Sequence, residues 1–159
     1  MMKNWRAAYA ALIAITILIL AATSVYGQRR SGAAPLTTDQ PQPLFSEYRG
    51  IRLGMTATEV RAKLGEPTLK ADDQDYYYNL SPIESAQFAY DKSQKVVAIS
   101  IDYSGTGAPD YRSVIGPAID QKEDGSLYKM VRYEAQGFWV SYNRTAGTPP
   151  IVTITIQKI

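Results

Sequence analysis

Three aspartates fall within five residues in "ADDQD", at Asp72, Asp73 and Asp75, and they offer the oxygen ligands that a divalent cation takes. The stretch lacks the spacing and the glycine of an EF-hand loop. Acidic residues ahead of a strand read as a solvated turn, so no metal site is assigned. "DQKEDG" at 120–125 is read the same way, with Asp124-Gly125 as a turn signal in which glycine accepts a positive φ. Glu59 with Glu66, or Asp102 with Asp110, would be candidate acid and base pairs for a glycosidase, but nothing in their spacing brings either pair together across a cleft. The chain contains neither cysteine nor histidine. Thiolate nucleophiles, disulfides, histidine-based triads and ordinary zinc sites are thereby excluded, and a serine nucleophile would have only lysine as its base. The expectation is a protein with no catalytic residues, no cofactor and no metal, and hence not an enzyme.

Aromatic residues point instead to binding. Of 12 tyrosines, three are consecutive at Tyr76, Tyr77 and Tyr78, so whichever face of a strand is buried, at least one ring points the other way. Trp139 is out of phase with Phe138, Val140 and Tyr142 in the same manner. Exposed Tyr and Trp bury much area for little lost rotamer freedom, which makes Tyr76, Tyr77, Tyr78 and Trp139 the candidate protein-binding surface. The competing account is that tyrosine is simply favoured in strands, where cross-strand pairs support it.

The elements that would position these residues begin behind an export signal. A basic start, Lys3 to Arg6, precedes an uncharged, mostly aliphatic run from Ala7 to Ala22, with cleavage expected after Gly27. The alternative is an uncleaved inner-membrane anchor at 7–26, since the run is barely long enough to span. Either outcome places the remainder outside the cytoplasm, periplasmic or secreted. Loss of Lys3 and Arg6 lowers the 17 basic residues to 15, matching the 15 acidic ones, and no basic run follows Arg29-Arg30. Nucleic acid is therefore not expected as a partner, and membrane contact only through the N-terminal segment. Residues 28–44, polar and rich in proline, read as a disordered tether.

Residues 50–67, "GIRLGMTATEVRAKLGEP", carry a complete set of signals for one short helix over about 57–64. Thr56 and Glu59 form a T-x-x-E capping box, while Met55 and Val60 are spaced as a hydrophobic staple. Gly65 can take the left-handed closing conformation, and Pro67 prevents continuation. "DYYYNL" at 75–80, "AQFAY" at 86–90 and "VVAISIDY" at 96–103 read as three strands of an antiparallel meander with one apolar face. The second half repeats the order at a spacing of 51, with "GMTATEVRAKLG" from Gly54 over "GTGAPDYRSVIG" from Gly105. The expected organisation is unit 1 at 45–104 and unit 2, an internal repeat, at 105–159.

"IRLGMTATEVRAKLGEPT" resembles the opening motif of the SmpA/OmlA (BamE-like) family, in which a Gly-Met-Thr helix start and a Leu-Gly-x-Pro stop precede a three-stranded sheet. The resemblance covers roughly Tyr48 to Tyr103, and the tandem arrangement looks like that of the β-lactamase inhibitor proteins. It implies an α+β fold of two tandem units, each a short helix packed on a three-stranded antiparallel meander. It also implies a non-catalytic, exported cell-envelope protein that binds another protein as an assembly module. The alternatives are an inhibitor or binder of a secreted hydrolase and, less favoured, a carboxylate-based enzyme.

Overall fold

The computed structural model describes residues 42–159. The export signal at 1–27 and the tether up to residue 41 lie outside the described residues. Among the described residues no helix is long and apolar enough to cross a membrane.

Helix α1 runs Ala57–Leu64. The Thr56 hydroxyl accepts from the Glu59 amide at 3.3 Å, and the Glu59 carboxylate accepts from the Thr56 amide at 2.7 Å. Two donors that a helix start leaves without partners are thereby satisfied, and the Thr56 amide holds the Glu59 carboxyl below its ordinary range. Gly65 ends the helix at φ 83 and ψ −170, a region almost confined to glycine rather than the left-handed helical one expected. Val60 is fully buried, and Met55 and Leu64 pack partly buried against the same core.

The strands follow as β1 Leu69–Lys70, β2 Gln74–Ser81, β3 Glu84–Tyr90 and β4 Val96–Ser104. After helix α2, Tyr111–Ile115, come β5 Asp120–Gln121, β6 Leu127–Tyr133, a 3-10 turn at Glu134–Gln136, β7 Phe138–Arg144 and β8 Ile151–Lys158. All eight strands form one antiparallel sheet in the order β1-β2-β3-β4-β8-β7-β6-β5. This overturns the expected pair of α+β tandem units of the SmpA/OmlA or β-lactamase-inhibitor type, and with it the internal repeat of separate helix-plus-meander units. The physical reason lies in the last strand of each half. Left apart, β4 and β8 would each present a bare row of amides and carbonyls, whereas together they pair from Ala98–Gln157 to Ser104–Ile151. Each half also has four strands rather than three, because β1 and β5 add two-residue edges. α2 has five residues against the eight of α1 and starts from its own cap, Asp110, which lies over Glu59 rather than Thr56, so the matched stretches share the glycine stop, Gly65 over Gly116, more than a helix.

Both helices lie on one face of the sheet. Register aligns Tyr77, Ala86, Ile101, Ile154 and Tyr142 across five strands on that face. Tyr77 donates its hydroxyl to the Gly65 carbonyl at the end of α1 (3.0 Å), and Tyr142 donates to the Pro109 carbonyl ahead of α2 (3.3 Å). The start of α1 is tied to the β3–β4 turn, where the Ala57 amide donates to the Gln94 carbonyl at 2.9 Å and the Val96 amide to the Met55 carbonyl at 2.8 Å.

Beneath the middle of α1 lies Asp75 on β2, which is 0% exposed. Arg61 reaches down from α1 and donates Nε to Oδ2 and Nη2 to Oδ1, both at 2.9 Å, and the Tyr90 hydroxyl donates to Oδ2 at 2.8 Å. A fork on a carboxylate with a third donor offsets the desolvation that an isolated buried charge would suffer. Arg61→Met is expected to destabilise the fold by about 3–5 kcal/mol, because it leaves that carboxylate without its cation. Adding Asp75→Asn should recover most of the loss. Urea denaturation of both variants checks this, and a single-variant loss below about 1 kcal/mol would show the pair to behave like an exposed one.

Candidate functional site

Strand alternation divides the three consecutive tyrosines between the two faces of the sheet. Tyr77 shares the helix side with Asp75; it is 3% exposed and meets Phe88 edge-on at 5.6 Å between ring centroids. It is therefore a core residue and leaves the candidate surface. The reason is the partner it finds there: the end of α1 leaves the Gly65 carbonyl to be satisfied, and the Tyr77 hydroxyl does so while its ring fills the core.

Tyr76 and Tyr78 project from the other face, stacked at 6.2 Å with planes 26° apart, and Tyr78 is 50% exposed. The Tyr76 hydroxyl donates to the Gln74 side-chain oxygen, which also accepts from Gln87 Nε2 at 2.8 Å. Trp139 lies half-buried on the same face, four strands away, or about 19 Å at the usual strand spacing. The two aromatic sites thus share a face without touching.

Between them the register sets out rows of small and neutral polar side chains. One row runs Tyr76, Gln87, Ser100, Thr155, Ser141 and Met130, and the next runs Gln74, Ala89, Ala98, Gln157, Trp139 and Arg132. Among the described residues no helix or strand covers this face. β6 adds Tyr128 and Met130, both exposed, beyond Trp139. Sequence reasoning had not singled these out, although their alternation with Leu127, Lys129 and Val131 was the available signal.

Of the carboxylates weighed for chemistry, Glu59, Asp75, Asp102, Asp110 and Asp124 have structural partners. Asp75 is engaged by Arg61, which removes it from the Asp72 and Asp73 group. Asp102 accepts from the Thr153 hydroxyl at 2.7 Å, and Asp110 caps α2 by accepting from the Arg112 amide at 2.9 Å. Ser126 and Lys129 have the S-x-x-K spacing, a further pair that sequence reasoning passed over. Here the spacing enters a strand rather than a helix, and Lys129 Nζ donates to the Ala118 carbonyl at 2.9 Å.

No family model matches the chain, and no curated protein matches it. Among solved structures it is similar to a DUF4309 family protein (YjgB) from Bacillus subtilis subsp. subtilis str. 168. The identity is 15% and the TM-score 0.48, over 70% of this chain and 84% of that one. The SmpA/OmlA resemblance is thus one of helix signals alone, and the single eight-stranded sheet overturns the assignment.

Burial holds the helix-side tyrosines protonated. From an ordinary 10.0, desolvation pushes Tyr77 and Tyr103 up to about 12 and Tyr90 higher still, with the Asp75 charge adding to the effect at Tyr77 and Tyr90. The folded state therefore keeps protons that the unfolded chain would release. Their contribution to stability is complete below about pH 10 and is lost as pH rises through about 12. Unfolding free energy is expected to fall across that window, and less steeply in Tyr77→Phe. Denaturation curves at stepped alkaline pH test this, and an unchanged slope in the variant would count against Tyr77 as a contributor.

Proposed function

We propose that this chain is a non-catalytic, exported cell-envelope protein that binds another protein on the uncovered face of its sheet. The observation that carries this reading is one continuous face with aromatic anchors toward both sides and no covering element among the described residues. Six strands of seven to nine residues outline it. At the usual strand spacing and rise they enclose roughly 700 Å², close to the roughly 800 Å² that each partner contributes to a standard interface.

The chemistry of the face favours protein over other partners. Tyr76, Tyr78, Tyr128 and Trp139 stand among Ser, Thr, Asn and Gln, with Arg132 toward one edge, a composition typical of adaptable protein-recognition surfaces. At its centre the face carries Asp102 and no basic residue, with Arg132 on the outer strand β6, so a polyanion finds no basic patch to bind. The structural partners of Asp75, Asp102 and Asp110 support a non-catalytic role.

Affinity capture from a native envelope extract, with the full chain as bait, tests the proposal. Tyr78→Ala with Trp139→Ala should lower recovery of the specific partner at least about tenfold, as expected for loss of interface anchors. Lys63→Ala, on the exposed side of α1, should leave it intact. Undiminished capture by the aromatic double variant would remove this face from the function.

A further inference from the structure

The helix-bearing side of the sheet holds a second feature at one end: an open cavity of about 550 Å³. The β3–β4 turn contributes Asp91 and Lys95 to its lining, the β6–β7 connection contributes Gln136 and Gly137, and the start of β7 contributes Phe138. Phe138 belongs to the helix side because it alternates with Trp139 and shares its phase with Val140 and Tyr142. An extra residue in β4, where Tyr90 pairs with Val96 and Ala89 with Ala98, lets Val96 and Val97 both reach the cavity.

Both turns are closed by their own hydrogen bonds. Asp91 Oδ1 accepts from the Ser93 amide at 2.8 Å and the Lys95 amide at 3.0 Å. Gly137, left-handed at φ 74 and ψ 28, donates to the Tyr133 carbonyl at 2.9 Å and accepts from the Ile159 amide at 3.0 Å. The walls are therefore set before any ligand arrives, and the volume lies within the range of small-molecule sites, about 300–1,000 Å³.

The charge of the lining is unbalanced. Arg52, Lys95 and Lys158 face one carboxylate, Asp91, one of whose oxygens already accepts from two amides. Arg52 is paired with Glu47 at 2.6 Å, whereas no ion pair among the described residues involves Lys95 or Lys158. Leu53, Val96, Val97 and Phe138 supply an apolar surface beside these ammonium groups.

We propose that this cavity binds a small organic anion, a carboxylate or a phosphate ester with an apolar body. Its anionic group meets Lys95 and Lys158, and its body packs on Leu53 and Phe138. Ammonium groups act as point charges without the planar fork of arginine, so the site selects charge and leaves carboxylate and phosphate both admissible. The cavity lies on the face opposite Trp139, and it stands or falls independently of the protein-binding face.

The test is calorimetric titration of the purified full chain with phenyl phosphate, benzoate and the neutral benzyl alcohol, with amide NMR shifts locating each probe. Saturable binding of an anionic probe, tighter than benzyl alcohol, with shifts at Gly54, Lys95 and Gly137 supports the proposal. The stronger of the two anions then identifies the preferred group. Lys95→Gln with Lys158→Gln, both surface changes, should weaken the anion about fivefold or more, as two exposed ion pairs predict. Equal binding of benzyl alcohol, unchanged affinity in the double variant, shifts confined elsewhere, or no saturation by any probe would each overturn it.

Discussion

A carboxylate buried under a two-turn helix organises this protein. Asp75 is sealed from water, and its charge is tolerable only because Arg61 and Tyr90 surround it with donors. A helix as short as α1 has little stability in water, since nucleation is costly and few hydrogen bonds follow. It is secured at three places along its length: its start on the β3–β4 turn, its middle on Asp75, and its end on Tyr77. The helix, the turn and the second strand are consequently one cooperative assembly, and the cavity-lining residues Gly54 and Lys95 are tied into it, the Gly54 amide donating to the Val96 carbonyl at 2.8 Å and the Lys95 carbonyl accepting from the Asp91 amide at 2.9 Å.

The second constraint is the seam between β4 and β8. These strands bring Ile99, Ile101, Ile154 and Ile156 to the centre of the helix side, and they turn Ser100, Asp102, Thr153 and Thr155 to the other. Apolar burial therefore drives association on one face, and hydroxyls, one of them bonded to Asp102, line the other. The same seam makes each face continuous across both halves of the chain. That continuity is what allows Tyr76 and Trp139, from opposite halves, to belong to a single surface.

Local signals were legible wherever the chemistry is local. Thr56, Glu59, Gly65 and Pro67 specify a helix start and stop within twelve residues, because the groups they satisfy lie a few bonds away. Strand alternation at 86–90 and 96–103 was equally plain. Tyr77 was misjudged for the opposite reason. A run of three tyrosines shows that the rings divide between faces, but which face is inner depends on where α1 lands. Asp75 carried the clue, since it alternates with Tyr77, yet a lone aspartate beside two others reads as a turn until Arg61 is placed above it. The family likeness erred in the same way: it rested on capping residues, which recur wherever a short helix must precede a sheet.

By itself the sequence determined what this protein lacks and where its elements begin. With no cysteine or histidine, whole classes of catalysis and of covalent stapling are closed to it, and the capping chemistry around α1 follows from residue types alone. Only the tertiary structure decided that two halves share one sheet and which tyrosines face out. It alone gathered Arg52, Lys95, Phe138 and Lys158 around one cavity. The physical reason is range. Caps and turns are settled by neighbours in the chain, whereas strand order, inner face and cavity depend on pairing β4 with β8 across about fifty residues, where edge satisfaction and burial are decided by the whole core at once.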